Sequence, residues 1–393
     1  MSHVTSSQEP LVSVIIPTYN RPDYLKQAIT SAVKQTYRNI EIIVSDNCTP
    51  ESSQEVVKSF GDSRIRPKSP QEVAESFGDS RIRPKSPQKE SLQKESPQKE
   101  SPQKVVESFG DSRIRFFRQA KNVGMFANQM NAFKMAQGKY VASLHDDDMW
   151  NEDFLEKLVP ALEENPDIIL AFCDQYIIDK DGNIDNVGTE GNSKAYKRTS
   201  LKKGVHQPFI EIAVIDKSVP IAAACVIRKE FVDWDKIPQE VGGMWDLYLS
   251  YLCSRSGHGA YYYPEKLTRY RAHEQTDTNR SGSLDAQAKI RKGTAEIFCY
   301  EQFMGDEILK KYNLYFKQKW LEAHTTLAIG LLRSEKTTQA RPYLWRALSE
   351  EKFNLRTIAA LTLSFIPRPI ANQFKRLNAT KNRIFKSEML SQK

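Results

Sequence analysis

The sequence predicts an α/β fold: an open sheet flanked by helices, followed by a smaller helical domain. Two observations carry the first part. Short apolar, β-branched runs alternate with stretches whose apolar positions follow a helical period, and the connections between them are short. The second part follows from length and pattern. At 393 residues the chain exceeds a single core of roughly 250 to 300 residues, and from about Leu284 onward it reads as helix, as in Glu296 to Leu309 and Trp320 to Leu332.

Leu11 to Ile16 reads as a buried parallel strand, with Pro17 to Arg21 as the turn after it. Asp23 is placed to cap a helix whose apolar positions are Leu25, Ala28, Ile29, Ala32 and Val33. A second buried strand, Ile40 to Ser45, completes a strand-helix-strand unit, and in such sheets ligands collect beyond the carboxyl ends of the strands. Further on come a helix around Asn128 to Ala136, a strand from Lys139 to Leu144, and a helix opened by Asn151 or Asp153. Ala171 to Tyr263 is irregular in pattern, and its polar stretch Asp179 to Gly204 suits a loop over a cleft.

The alternation is interrupted by repeats. SFGDSRIR at Ser59 to Arg66 recurs at Ser76 to Arg83 and Ser108 to Arg115, with KESLQ-KESPQ-KESPQ between the last two copies. Those five-residue units have almost nothing to bury, so 67–107 is expected to be an inserted, disordered low-complexity loop. Joining Val56 to Arg66 directly to Phe116 would restore an uninterrupted helix-to-strand passage, which points to a tandem duplication. The expected division is a catalytic domain over 1–280 and a helical domain with a basic tail over 284–393.

Composition narrows the function classes. No run of about 18 apolar residues exists to cross a bilayer, and the polar start at Met1 to Pro10 is unlike a signal peptide, so a cytoplasmic location is expected. The five cysteines form no CxxC pair, which argues for reduced core thiols over a zinc site or disulfide framework. The net charge of +8 is concentrated toward the end, where Lys352, Arg356, Arg368, Lys375, Arg376, Lys381, Arg383 and Lys386 meet few acids. An anionic partner surface is implied.

The sharpest chemical feature is His145-Asp146-Asp147-Asp148, directly after an apolar strand. Adjacent carboxylates repel one another unless a cation neutralises them, and Mg²⁺ or Mn²⁺ takes oxygen ligands while sharing its shell with substrate phosphates. A solvated acidic turn capping the next helix is the competing reading.

VSVIIPTYNR at Val12 to Arg21, IIVSDN at Ile42 to Asn47, KNVG at Lys121 to Gly124 and LHDDDMW at Leu144 to Trp150 resemble, in order, the motifs of family 2 glycosyltransferases. The resemblance covers roughly the first 280 residues with the insertion set aside. It implies the GT-A fold, a Rossmann-like open mixed sheet, and inverting transfer of a sugar from a nucleotide-diphosphate donor. Pro17, Thr18, Tyr19 and Asn20 then fall at the nucleotide, Asp46 at the base, and Asn122 and Gly124 at a nucleotide-contacting turn. Asp146 to Asp148 resemble the DxD region, with Asp147 and Asp148 as metal ligands and Asp146 toward the donor, while His145 stands where relatives often carry an acid.

The resemblance also implies an acid that takes the acceptor proton. Gly243 to Leu247 resembles the region that supplies it, making Asp246 the candidate base, although a direct alignment could put Met244 there and leave Asp246 as a first-turn helix acid. Tyr270-Arg271-Ala272-His273 resembles a YRxH segment, so Arg271 or His273 could meet the diphosphate or metal; a structural arginine is the alternative. The implied acceptors are polysaccharide, lipopolysaccharide or glycolipid.

Leu355 to Ile370 is apolar, too short to span and followed by cations, which suits peripheral contact with an anionic inner leaflet; a helix packed on its own domain is the bland alternative. Nucleic acid is not expected as a partner, since no DNA- or RNA-reading module is present. PTYNRP after the first strand excludes the usual nicotinamide fingerprint, and a sugar nucleotidyltransferase would carry a Gly-rich basic loop there. A non-catalytic sugar-nucleotide-binding or scaffold protein of the same fold remains the rival reading.

Overall fold

The computed structural model describes residues 9–50, 100–273, 282, 285–351 and 354–365. The chain opens as strand β1 (Val12–Thr18), helix α1 (Pro22–Val33) and strand β2 (Ile40–Asp46). After a short helix α2 (Pro102–Glu107) come β3 (Ile114–Arg118), α3 (Met125–Met135), β4 (Tyr140–Ser143), β5 (Met149–Trp150) and α4 (Phe154–Glu164). Then follow β6 (Ile168–Ile178), α5 (Asn186–Ala195), β7 (Gly204–His206), β8 (Cys225–Arg228), α6 (Trp245–Arg255) and β9 (Gly259–Arg271). The remainder is helical: α7 (Ala286–Met304), α8 (Asn313–Arg333), α9 (Thr337–Glu350) and α10 (Leu355–Leu363).

One mixed sheet runs in the order β3-β2-β1-β4-β8-β6-β9-β5, with β7 paired to β9. The β1, β2, β3 and β4 pairings are parallel, and antiparallel β8 joins β4 to β6. The central strands are buried on both faces, and the period-two alternation sorts their side chains into two cores. In β1, Val12, Val14 and Ile16 join the layer of α1 and α4, whereas Ile15 joins the layer of α3 and α6. In β2 and β4, Ile43 and Val141 likewise oppose their neighbours Ile42 and Ala142. Parallel β1, β2 and β4 therefore end on the same side, and the turns after them lie together.

The helical segment is docked on the sheet layer. Tyr300 and Phe303 of α7 and Phe316 and Trp320 of α8 belong to the same apolar cluster as Trp245 and Tyr248 of α6. Backbones approach closely where side chains are small: a Cβ on Gly293 would lie 2.7 Å from the Leu327 nitrogen, so α7 and α8 cross at a glycine. All five cysteines are free thiols, four of them buried.

Several local expectations shift. β1 runs through Pro17 and Thr18, so the turn begins at Tyr19; both residues remain in register with β2 opposite Ser45 and Asp46. Asp23 lies inside the first turn of α1 instead of capping it, because Pro22 takes the opening position. The expected loop over 67–107 ends too late: Pro102–Glu107 is a helix whose Ser101 side chain accepts from the Lys104 N–H and whose Val105 and Val106 are buried. The third repeat copy thus supplies the helix-to-strand passage, while 67–99 and the other two copies lie outside the described residues.

The region from Ala171 to Tyr263, read as irregular, contains much of β6, all of β8 and the start of β9. Its polar stretch Asp179 to Gly204 is also not a loop throughout, since it forms α5. That helix buries polar groups: Ser193 donates to Asp174 at 2.6 Å, and Thr189 accepts from the Ile177 N–H at 2.9 Å. Arg198 completes the seam with a buried ion pair to Asp174 at 2.6 Å. An apolar-period reading has no purchase on such a face.

Candidate active site

Three turns converge at the carboxyl ends of β1, β2 and β3, beside the acidic segment that follows β4. Asn20, in the left-handed region at φ 57°, donates its N–H to Thr49 Oγ1 at 2.9 Å, tying the first turn to the second. Asn47 ties the second to the third: its side chain accepts from the Val123 N–H at 2.9 Å and donates to Asn122 Oδ1 at 3.0 Å. Gly124 then opens α3 at φ 87°, a conformation that disfavours a side chain. Asp46 is buried at the end of β2, accepts from the Thr49 N–H at 3.1 Å and lies 3.7 Å from Arg118 Nε. Pro17, Thr18, Tyr19, Asn20, Asp46, Asn122 and Gly124 are accordingly gathered at the strand ends and turns that these hydrogen bonds tie together.

The acidic segment after β4 is buried, though each carboxylate has different company. Asp146 faces β1, accepting from Thr18 Oγ1 at 2.8 Å, the Tyr19 N–H at 3.4 Å and Arg21 Nη1 at 3.1 Å. Asp147 Oδ2 receives Arg21 Nη1 at 2.6 Å and His273 Nε2 at 3.0 Å. Asp148 Oδ1 accepts the Arg271 N–H at 2.8 Å, whereas its buried Oδ2 has no hydrogen-bond partner among the described residues. One ligand atom each from His145, Asp147 and Asp148 lie within 4.8 Å of one another.

These surroundings set the charge states of the cation-free protein. Burial and the charge of Asp147 push Asp146 up to about 6 against Arg21 and Thr18, and burial with Asp147 raises Asp148 well above the ordinary range. Burial acts upward on Asp147 too, but the hydrogen bond with His273 and the charge of Arg21 outweigh it and hold it low. His145 is depressed chiefly by burial, which favours the neutral imidazole that can bind a metal. One ionised carboxylate between two that resist ionisation is what mutual repulsion in a buried acidic cluster produces.

Arg271 makes its contacts within the protein. Its Nε donates to the Asp147 carbonyl at 2.7 Å, Nη1 to the Asp179 and Lys180 carbonyls at 3.1 Å, and Nη2 to Gln27 at 2.8 Å, with the guanidinium over Tyr24. Only 1% exposed, it buttresses the acidic turn through backbone carbonyls and the Gln27 amide oxygen. Asp246 lies in the first turn of α6, behind Met244 at the N-cap, and accepts its neighbour Leu247's N–H at 2.8 Å. Burial raises its pKa against the Leu247 hydrogen bond and the charges of His145 and Lys217; the ring of the preceding Trp245 lies 6.1 Å from that of His145, so this turn of α6 sits beside the acidic segment.

The family model described as Glycosyl transferase family 2 matches residues 13–72 and 96–216, spanning β1 to the segment after β7. The chain belongs to glycosyl transferase family 2. It is similar to an uncharacterized glycosyltransferase of Methanocaldococcus jannaschii, with 32% identity over 51% of this chain and 52% of that protein. It is also similar to a glycosyltransferase of Bacillus subtilis named for teichuronic acid biosynthesis, TuaG, with 24% identity over 40% of this chain and 43% of that one. The chain thus spans about half the length of the first of these relatives. Among solved structures, a mannosyltransferase from Pyrobaculum calidifontis in complex with GDP-Man and Mn²⁺ is similar at 13% identity and TM-score 0.47, over 91% of this chain and 88% of that one.

Sequence reasoning undervalued two members of this family 2 site. In the sequence Arg21 only closes the VSVIIPTYNR motif, yet its Nη1 spans Asp146 and Asp147. His145 stands where relatives often carry an acid, yet it groups with Asp147 and Asp148. The available signal was an arginine following the β1 turn and a histidine directly preceding three acids.

Proposed function

We propose that this chain transfers a sugar from a nucleotide-diphosphate sugar to a hydroxyl acceptor, with inversion and with a divalent cation, Mn²⁺ or Mg²⁺, held by His145, Asp147 and Asp148. The observation that carries the reading is the convergence of those ligand atoms within 4.8 Å, with the buried Asp148 Oδ2 lacking a hydrogen-bond partner among the described residues. The donor set fits such an ion, since one imidazole nitrogen and two carboxylates suit Mn²⁺ well and Mg²⁺ through its oxygens. When bound, the cation would neutralise the charge on the departing diphosphate.

The protein's own groups do the rest. Pro17 to Asn20, Asn122 and Gly124 line the nucleotide cleft, with Asp46 toward the base, and Asp146 beside Thr18 faces the donor. Arg21 and His273 hold Asp147, and Arg271 fixes the backbone of the acidic turn. Asp246 takes the proton of the acceptor hydroxyl as that oxygen bonds to the anomeric carbon and the carbon–oxygen bond to the diphosphate breaks. A raised pKa makes its carboxylate a stronger base than an exposed one. We assign this catalytic unit to 1–280 and treat 284–393 as a helical unit docked on it. No described helix is long and apolar enough to cross a membrane. Exposed Leu355, Ile358, Leu363 and Phe365 on and after α10 support peripheral contact with an anionic leaflet at the cytoplasmic face.

Binding of UDP, GDP and dTDP with and without Mn²⁺ tests the donor site. One nucleotide should bind in a metal-dependent way that Asp147→Ala abolishes, and Asp246→Asn should keep that binding while lowering turnover by about 10² to 10⁴. Metal-independent binding would remove the cation from the reading. Tight binding with no transfer to any acceptor would favour a non-catalytic sugar-nucleotide-binding protein.

A further inference from the structure

Between β7 and β8 the chain makes a single π turn, Glu211–Ile215, whose Ala213 and Val214 are buried in the same apolar cluster as Trp245 and Tyr248 of α6. Lys217 follows that turn in the left-handed region at φ 54°, where a residue with a side chain is uncommon. Its neighbours hold it there. Asp216 pairs with Lys197 at 2.6 Å, Ser218 Oγ donates to the Tyr196 carbonyl at 2.6 Å, and the Ser218 N–H donates to the Ile212 carbonyl at 2.7 Å. Both flanking side chains are thus tied to the residues just after α5, and strain of this kind persists only where the surroundings over-determine it.

Lys217 itself reaches α7. Its Nζ donates to the hydroxyl of Tyr300, a residue only 2% exposed, at 3.4 Å. Burial pushes the Lys217 ammonium down and the charges of Lys319 and Lys292 act in the same direction, while Glu296 and Asp246 oppose them. Of those two acids, Glu296 also meets Lys292 at 3.9 Å. Asp246 has Lys217 and His145 as the positive groups acting on it among the described residues. An imidazole that binds a metal is neutral, so with a cation on His145 the side-chain charge left to balance Asp246 is that of Lys217.

We infer that Lys217 is a positioning residue for the Asp246 carboxylate, a fixed positive charge that the strained segment between β7 and β8 holds between α6 and α7. The role in transfer rests on the reading of Asp246 as the base, whereas the pairing of the two charges does not. Lys217 acts through Asp246 and takes no part in bond making.

A double-mutant cycle on the full chain tests the pairing without any substrate. At mildly alkaline pH, Lys217→Met should lower the melting temperature of wild type, and should lower that of Asp246→Asn by less than about half as much, because only the first change leaves a buried carboxylate without its counter-charge. Lys217→Gln, which keeps a donor for Tyr300, should repeat the pattern, and Lys217→Arg should recover most of the wild-type value. Nucleotide release from UDP-glucose, UDP-N-acetylglucosamine and GDP-mannose with Mn²⁺, water serving as acceptor, carries the same cycle to turnover. Lys217→Met should lower kcat at least about tenfold with the donor KM unchanged, Lys217→Arg should restore it, and Lys217→Met should add no loss in the Asp246→Asn background. Equal melting shifts in the two backgrounds, or additive losses of kcat, overturn the proposal. Coupled melting shifts with no nucleotide released from any donor would count against the transfer reading and leave the pairing standing.

Discussion

Arg21 Nη1 lies 3.1 Å from Asp146 and 2.6 Å from Asp147, supplying the acidic turn with positive charge in the cation-free protein. Its side chain is 27% exposed, so the pair is partly screened, and Arg21→Ala is expected to lower metal-free stability by about 1–3 kcal/mol. Mn²⁺ should then raise the melting temperature of Arg21→Ala by more than that of wild type, because the ion supplies the missing charge. Equal shifts would mean that Arg21 and the cation act on separate groups. Asp246 contributes to the pH dependence beside Asp146 and Asp148, which are also raised. Burial raises its pKa above the ordinary 3.8, so its ionisation disfavours the fold as pH rises through the shifted value. The same shift moves activity: kcat/KM should climb with pH through a limb displaced upward from 3.8, and a limb unchanged in residual Asp246→Asn turnover would assign the titration elsewhere. At this scale the three acids were legible because three consecutive carboxylates directly after an apolar strand repel one another without a counter-charge. Arg21's part was not, since sequence does not show that the β1 and β4 turns face each other.

Among the elements, α2 and β3 connect the repeats to the site. β3 pairs in register with β2, placing Arg118 opposite Asp46. The residues these elements use recur 49 positions earlier: Ser52, Val56, Val57, Phe60, Asp62, Arg64, Ile65 and Arg66 match Ser101, Val105, Val106, Phe109, Asp111, Arg113, Ile114 and Arg115. A chain lacking 67–115, with Arg66 joined to Phe116, is therefore expected to fold and bind nucleotide like the full chain. Its stability should fall by no more than about 1 kcal/mol, since the exchanged positions are the helix-opening Pro102 and the exposed Lys104 and Glu107. A larger thermal shift, or lost nucleotide binding, would show that the third copy is not replaceable. The first strands, α1 and α3 were legible because their apolar periods are regular. The helix α5 was not, because its buried face is made of Thr189 and Ser193, and hydrogen bonding, not burial of carbon, holds it to β6.

Across the whole molecule, the helical unit shares a core with the sheet layer, so the base candidate is held from both sides. Val241 and Trp245 precede and flank Asp246 in the same cluster as Tyr300 and Phe303 of α7, and a Cβ on Gly242 would lie 3.6 Å from that of Ala295. The sequence by itself determined the alternation that builds an open sheet, the order of the family motifs, the acids after β4 and the cationic character of the end of the chain. These are local patterns, readable because period and charge lie along the backbone. Only the tertiary structure decided which groups meet. It set Arg21 against Asp146 and Asp147, turned Arg271 inward to hold the acidic turn, and grouped His145 with Asp147 and Asp148. Such meetings depend on strand order and helix docking across a hundred or more residues of separation, which burial and hydrogen-bond satisfaction in the folded core select and no local spacing encodes.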